Sequence, residues 1–311
     1  MKSIFLIFFS SVLFITFFIF YFYEYNFSLE QKIFIPIYEN KIVGKITEGY
    51  LKQFVAGMRF STNNISYYID PSCSEEKKSR MVRAFSILEK EVGNIFFYEL
   101  NNISTQILIL CSENVKKEDK KIFILGEGGP TKFLNFTPYP LILEGEINLY
   151  SKKNIKNCDY PVVELHELLH VFGFDHIEKK DFILYPYLDC NQRLNEEIVN
   201  KLREIYSEEA KAELFFNNFS AYKKGPYLNF NLEVKNTGLI EAKNVSLEIY
   251  KNTQKIKDYS LENILPGYSK KLKVENFYLK NIKENKINFK ITSNSKEYFY
   301  ENNIIEMVLE N

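Results

Sequence analysis

The chain contains three histidines, and all fall in the eleven-residue stretch His166-Glu167-Leu168-Leu169-His170-Val171-Phe172-Gly173-Phe174-Asp175-His176. His166 and His170 stand at i and i+4. On a helix they project from one face, and their imidazole nitrogens can share one ion at about 2.0–2.1 Å. Gly173 can end that helix in a left-handed conformation and turn the chain back, which delivers His176 as a third ligand. Three histidines leave a fourth position open for water, the pattern of catalytic rather than structural zinc. Glu167 follows the first ligand, on the side where that water lies. It can take a proton there and pass it to a leaving amine. Random placement of three histidines gives these spacings on the order of once in ten thousand, before Glu and Gly are required.

The elements around this motif must hold it. Val162–Phe172 reads as its helix. Upstream, Ile65, Tyr67 and Ile69 alternate as in a strand. Met81, Phe85, Leu88 and Val92 recur at helical spacing over Glu75–Val92, with Gly93 as the stop. The apolar run Thr105–Cys111 predicts a buried strand, Gly126–Pro130 (GEGGP) a turn cluster, and Glu146–Tyr150 a short strand. A last helix is expected over Asn195–Phe216, with Asn195 as N-cap and Glu196 and Glu197 in the dipole-favoured first turn. Cys73, Cys111, Cys158 and Cys190 allow three connectivities. Cys73–Cys111 with Cys158–Cys190 is preferred, because the second bridge clamps the surroundings of the histidine segment. Four free buried thiols are the alternative. No C-x₂₋₄-C pair exists for a tetrahedral cysteine site.

Forty Lys+Arg balance forty Asp+Glu, which argues against a nucleic-acid partner. With 46% hydrophobic and 26% charged residues, the 311-residue chain has room for two globular domains. Ile4–Tyr23 runs without a charge and is long enough to cross a bilayer, and Lys2 before it keeps the N-terminus cytoplasmic. The expected order is therefore a transmembrane anchor over 1–23, a stalk over 24–33, a metal-binding domain over 34–212 and an all-β sandwich over 213–311. A cleaved signal would give a secreted protein instead, and the cysteines fit either exported form. The sandwich is read from alternation at Leu228–Val234, Val245–Ile249, Leu272–Val274 and Ile287–Ile291, separated by turn signals. Six N-x-S/T sequons fit export without proving it.

H-E-x-x-H-x-x-G-x-x-H is the metzincin signature, and the chain resembles the matrixins among them. Ile183-Leu184-Tyr185-Pro186 looks like the matrixin methionine turn with Leu184 in the methionine place. The helix ending Leu202-Arg203-Glu204-Ile205-Tyr206 is similar to the closing matrixin helix. The resemblance covers about residues 55–206. It implies an α+β zincin-like catalytic domain, one catalytic zinc, and endopeptidase action on a peptide or protein lying against the 146–150 strand.

Several departures matter. Leu184 supports the site from below and has a volume similar to methionine. The family's tyrosine two residues after the proline falls at Leu188, so the specificity pocket differs. With no fourth histidine, the second, histidine-held zinc of vertebrate matrixins cannot be built. Residues 24–58 carry no zinc-blocking cysteine. The tyrosine ligand of some astacin-like relatives falls at Pro186, so Tyr185 and Tyr187 are not ligands. Glu144 and Glu146 read as a solvated strand edge. The sandwich resembles CARDB-type and Ig-like modules through residues 234–250, which implies adhesion, spacing, or contact with a surface protein or glycan. The competing reading is a non-catalytic zinc-binding adhesion protein, and the intact Glu167 argues against it.

Overall fold

The computed structural model describes residues 30–32, 51–114, 116–117, 123–136, 138–151, 158–279 and 286–308. The Ile4–Tyr23 run lies outside them. Among the described residues, no helix is long and apolar enough to cross a membrane. The chain divides into two compact units, one of residues 35–210 and one of residues 211–311 with 1–34. Strand β1 (Glu30–Lys32), which the sequence places in a stalk, belongs to the second unit and pairs antiparallel with Ser269–Lys271.

The first unit carries β2 (Arg59–Phe60), β3 (Asn64–Ile69), α1 (Glu75–Val92), β4 (Phe96–Glu99), β5 (Ile107–Ser112), β6 (Lys116–Lys117), β7 (Phe123–Ile124), β8 (Gly126–Leu134), β9 (Leu141–Tyr150), α2 (Val162–Val171) and α3 (Glu196–Ser207). In its main sheet β3 runs parallel to β4 and β5, and β5 and β2 run parallel to β9. Only β8 is antiparallel, lying along β9. Helix α1 starts where the Ser74 side chain accepts from Lys77 N and stops at Gly93, at φ 81°. Its buried stripe of Met81, Phe85, Leu88 and Val92 matches the helical spacing, each side chain adding about 1.5–3 kcal/mol on burial.

Three expectations change. The last helix ends at Ser207, not Phe216, and Leu214–Lys224 forms β10 of the other unit. Arg59 is the physical reason. It is fully buried, and its Nη1 donates to Ile205 O (2.7 Å) and Glu208 O (2.8 Å), taking up carbonyls that a continuing helix would use. The guanidinium also lies 4.6 Å from the Tyr206 ring. GEGGP is not a turn: its glycines open β8, and none of them has a positive φ. The 146–150 strand is the second half of β9, flanked by β5 and β8. It has no open edge for a substrate, and the antiparallel outer strand is β8.

The second unit is a β-sandwich. One sheet has the order β1, β14 (Ser269–Tyr278), β11 (Tyr227–Asn236), β10; the other has β13 (Gln254–Ile264), β12 (Ala242–Lys251), β15 (Lys286–Thr292), β16 (Ile304–Val308). Leu228, Phe230, Leu232, Leu247, Ile249 and Phe289 fill the core between them, as the alternation predicts.

Candidate metal centre

Helix α2 is buried along its whole length. At its start, Arg80 of α1 grips Glu164 through both carboxylate oxygens (2.9 and 3.2 Å). The same guanidinium donates to Cys158 O (2.7 Å) and Tyr160 O (3.1 Å), so one partly buried cation fixes both the helix and its approach. At its end, Phe174 N donates to Leu169 O (3.2 Å) and Gly173 N to His170 O (2.9 Å), the two bonds of a Schellman motif. Gly173 sits at φ 82°, and a Cβ there would lie 2.7 Å from Met58 Sδ. Both facts require glycine. The turn it makes carries the chain back to His176.

The three Nε2 atoms converge: His166 to His170 at 2.9 Å, and His176 to each of the others at 3.2 Å. Ligands about 2.0–2.1 Å from one tetrahedral ion stand about 3.3 Å apart, so the triangle has the right size for zinc. The outer ring nitrogens are already committed. His166 Nδ1 donates to Ile183 O (2.6 Å), and His170 Nδ1 to Phe174 O (2.6 Å). A carbonyl at that distance requires the proton on Nδ1, which leaves the Nε2 lone pair aimed inward. Burial pushes His166 down to about 3 and His170 down to about 4, and it lowers His176 as well. All three are thus neutral, the form that binds metal. With His166 and His170 fixed in this way, two inward lone pairs 2.9 Å apart repel one another unless a proton or a cation lies between them. Among the described residues this is the one cluster of histidine, cysteine and acidic side chains suited to an ion. His176 is its exposed member, so the centre opens to solvent on that side.

The matrixin sequence profile matches residues 59–207. This region, just under half of the chain, is similar to the matrixin family. Metallopeptidase function and zinc follow at the level of the family. No curated protein matches the chain. Among solved structures it is similar to the CARDB domain of a Pyrococcus furiosus protein, known from a crystal structure in complex with di-metal ions and from a solution NMR structure. Both are 16% identical over 32% of this chain, covering 88% and 95% of the respective domains, with TM-scores of 0.27 and 0.28.

In this matrixin-like domain Glu167 is buried beneath β8. Burial, with the Glu127 charge adding to it, raises its carboxyl to about 8, against a hydrogen bond from Gly128 N–H that lowers it. A Cβ on Gly126 would lie 2.6 Å from Glu167 Cγ, and one on Gly128 would strike the Glu167 carbonyl carbon (2.8 Å). On β9, a Cβ at Gly145 would lie 2.5 Å from Val171 Cγ1. These positions need glycine because strand and helix lie too close for a Cβ: Gly128 meets helix backbone, and Gly126 and Gly145 meet helix side chains. Their signal in the sequence is the i, i+2 spacing of Gly126 and Gly128, which puts both on one strand face.

The turn resembling the methionine turn lies where it can brace the ligands. Ile183 O receives the His166 proton, and Leu184, fully buried, accepts from Ile177 N through its carbonyl (2.9 Å). Tyr185 N donates to Phe182 O (3.1 Å), Tyr185 is half-buried, and Pro186, Tyr187 and Leu188 are exposed. Asn195 is the N-cap residue of α3, but its side chain does not cap that helix. Its Oδ1 accepts from Ile183 N (3.2 Å), tying α3 to the residue that holds His166. Gln192, buried and missed by sequence reading, donates to Lys180 O and Tyr187 O and so closes the loop after the turn. The bridges are Cys73–Cys111 and Cys158–Cys190, and no cysteine is free. Glu144 pairs with Lys132, and Glu146 accepts from Asn148.

Proposed function

We propose that the chain is a zinc-dependent endopeptidase working outside the cell membrane, tethered by Ile4–Tyr23. The observation that carries this reading is the convergence of three Nε2 atoms, with Glu167 next to the first ligand on the same buried helix. His166, His170 and His176 hold the ion. When bound, zinc supplies Lewis-acid chemistry, acidifying water and polarising a carbonyl oxygen. Glu167 accepts the proton of the attacking water and returns it to the leaving nitrogen. The Gly128 N–H that donates to this carboxyl group holds its orientation for both halves of the transfer. The carbonyls of Ile183 and Phe174 keep the ligand rings in the binding tautomer through the cycle.

Strand β8 supports an extended substrate. Among the described residues its only strand partner is β9, so its outer edge offers backbone groups for antiparallel pairing. The sandwich serves as a spacer or a contact for a surface protein or glycan.

The second reading, a zinc-binding adhesion protein without turnover, is motivated by Leu184. Metal analysis with digestion of a broad peptide library separates the two. The expected result is one zinc per chain and cleavage that a chelator stops. Bound zinc with no peptide cut favours the adhesion reading.

A further inference from the structure

The segment Leu51–Met58 precedes the region matched by the matrixin profile, yet it is tied to the turn that follows α2. Phe54 N donates to Gly173 O (2.6 Å), and Asp175 N donates to Lys52 O (3.0 Å). Gln53 and Phe174 thereby face each other as an antiparallel bridge. Gln53 is buried, and its whole amide is used. Nε2 donates to Phe172 O (2.9 Å) and Met58 O (3.2 Å), while Oε1 accepts from Gly57 N (2.9 Å). The Phe54 ring lies nearly parallel to the His170 ring, with centroids 6.4 Å apart.

The Schellman turn satisfies the carbonyls of Leu169 and His170. It leaves those of Phe172 and Gly173 without a helical donor, and a buried carbonyl needs one. Gln53 and Phe54 supply both. The residues so fixed are next to the metal centre. Phe174 is the bridged residue whose carbonyl takes the His170 proton, and Asp175, held by Lys52, immediately precedes His176.

We propose that Leu51–Met58 is a positioning strap of the metal centre, an inference that rests on reading the three histidines as zinc ligands. Gln53 and Phe54 orient His170 and set the place of His176, and through them the strap sets metal affinity.

The test uses the full chain, with zinc affinity measured by competition against a chromophoric chelator and ligand geometry by the visible spectrum of the cobalt-loaded form. Gln53→Met and Phe54→Ala are expected to weaken zinc binding by about 10–100-fold and to alter the cobalt bands. Phe54→Tyr restores both. Val92→Ala, a core change on α1, lowers stability and leaves affinity and bands unchanged. If Gln53→Met does not fold, Phe54→Ala with its tyrosine rescue decides alone. Wild-type protein that binds no zinc in this titration removes the ligand assignment itself. Wild-type binding with unchanged affinity and bands in the strap variants overturns the strap, as does an equal loss in Val92→Ala.

Discussion

His166 and His170 each surrender Nδ1 to a backbone carbonyl and keep Nε2 for the ion, so the peptide chain chooses their tautomer. Burial then makes their protonation costly, and it makes ionisation of Glu167 costly for the same reason. The two effects oppose each other in the metal-free fold. Histidines lowered to about 3 and about 4 bind fewer protons folded than unfolded, so they remove stability as pH falls below about 6.5. Glu167, raised from 4.5 to about 8, keeps a proton in the fold that the unfolded chain releases, so it removes stability as pH rises toward 8. Between about 4.5 and 6.5 the two histidines outweigh the one glutamate; above that window Glu167 acts alone. Metal-free protein is therefore expected to be most stable near pH 6.5, measured by urea midpoints at about pH 5, 6.5 and 8. Glu167→Gln should flatten the upper limb and steepen the lower one, where the histidines are then unopposed. An upper limb that survives the substitution contradicts the assignment. The same variant in the zinc-loaded protein should keep its metal and lose turnover by about 10²–10⁴-fold, the usual contribution of a positioned proton-transfer group. Wild-type cleavage rates in that variant would remove Glu167 from the mechanism.

At the scale of elements, the centre depends on how closely α2 lies on β8 and β9. Gly126 and Gly128 face the same helix residue but meet different parts of it. A methyl at 126 presses on a side chain that can swing away, while a methyl at 128 presses on backbone that cannot. Gly126→Ala is therefore expected to displace the Glu167 carboxyl group, cutting turnover more than stability. Gly128→Ala is expected to cost about 1–3 kcal/mol of folding free energy, as overpacking does. Thermal unfolding beside peptidase rates checks the pair, and equal effects on both readouts would contradict the geometry. These contacts also mark what was legible in the sequence. The ligand spacing, the buried stripe of α1 and the alternation of the sandwich are local periodicities, and all appear as read. GEGGP reads as a turn because a glycine forced by a neighbour looks the same in sequence as one forced by φ. The overlong last helix fails similarly, because its stop is Arg59, 146 residues from the carbonyl of Ile205 that it holds. Asn195 has the residue type of an N-cap and the position of one, but its side chain serves Ile183. What is missed in each case is a contact between residues distant in sequence.

Across the whole molecule, the chemistry and the covalent bracing fall in the same unit. All four cysteines, the three histidines and Glu167 belong to residues 35–210, and the sandwich has none of these metal-binding or cross-linking groups. Bridges separated by 38 and 32 residues each restrict the unfolded chain by about 3–4 kcal/mol in the entropic account. The Cys158–Cys190 loop contains the entire ligand set, so opening it loosens the approach to α2 that Arg80 fixes through Cys158 O. The sandwich is held by its apolar core and by buried hydrogen bonds of Glu233, Asn236 and Glu297, and its sequence has no cysteine for a reductant to act on and no histidine. Calorimetry of the intact chain is thus expected to show two transitions. A chelator should lower one of them, a reductant should lower the same one further, and the other should stay where it was. A chain in which both transitions shift together under chelator would mean that the sandwich draws stability from the metal centre. In that case the division of labour between the units is wrong.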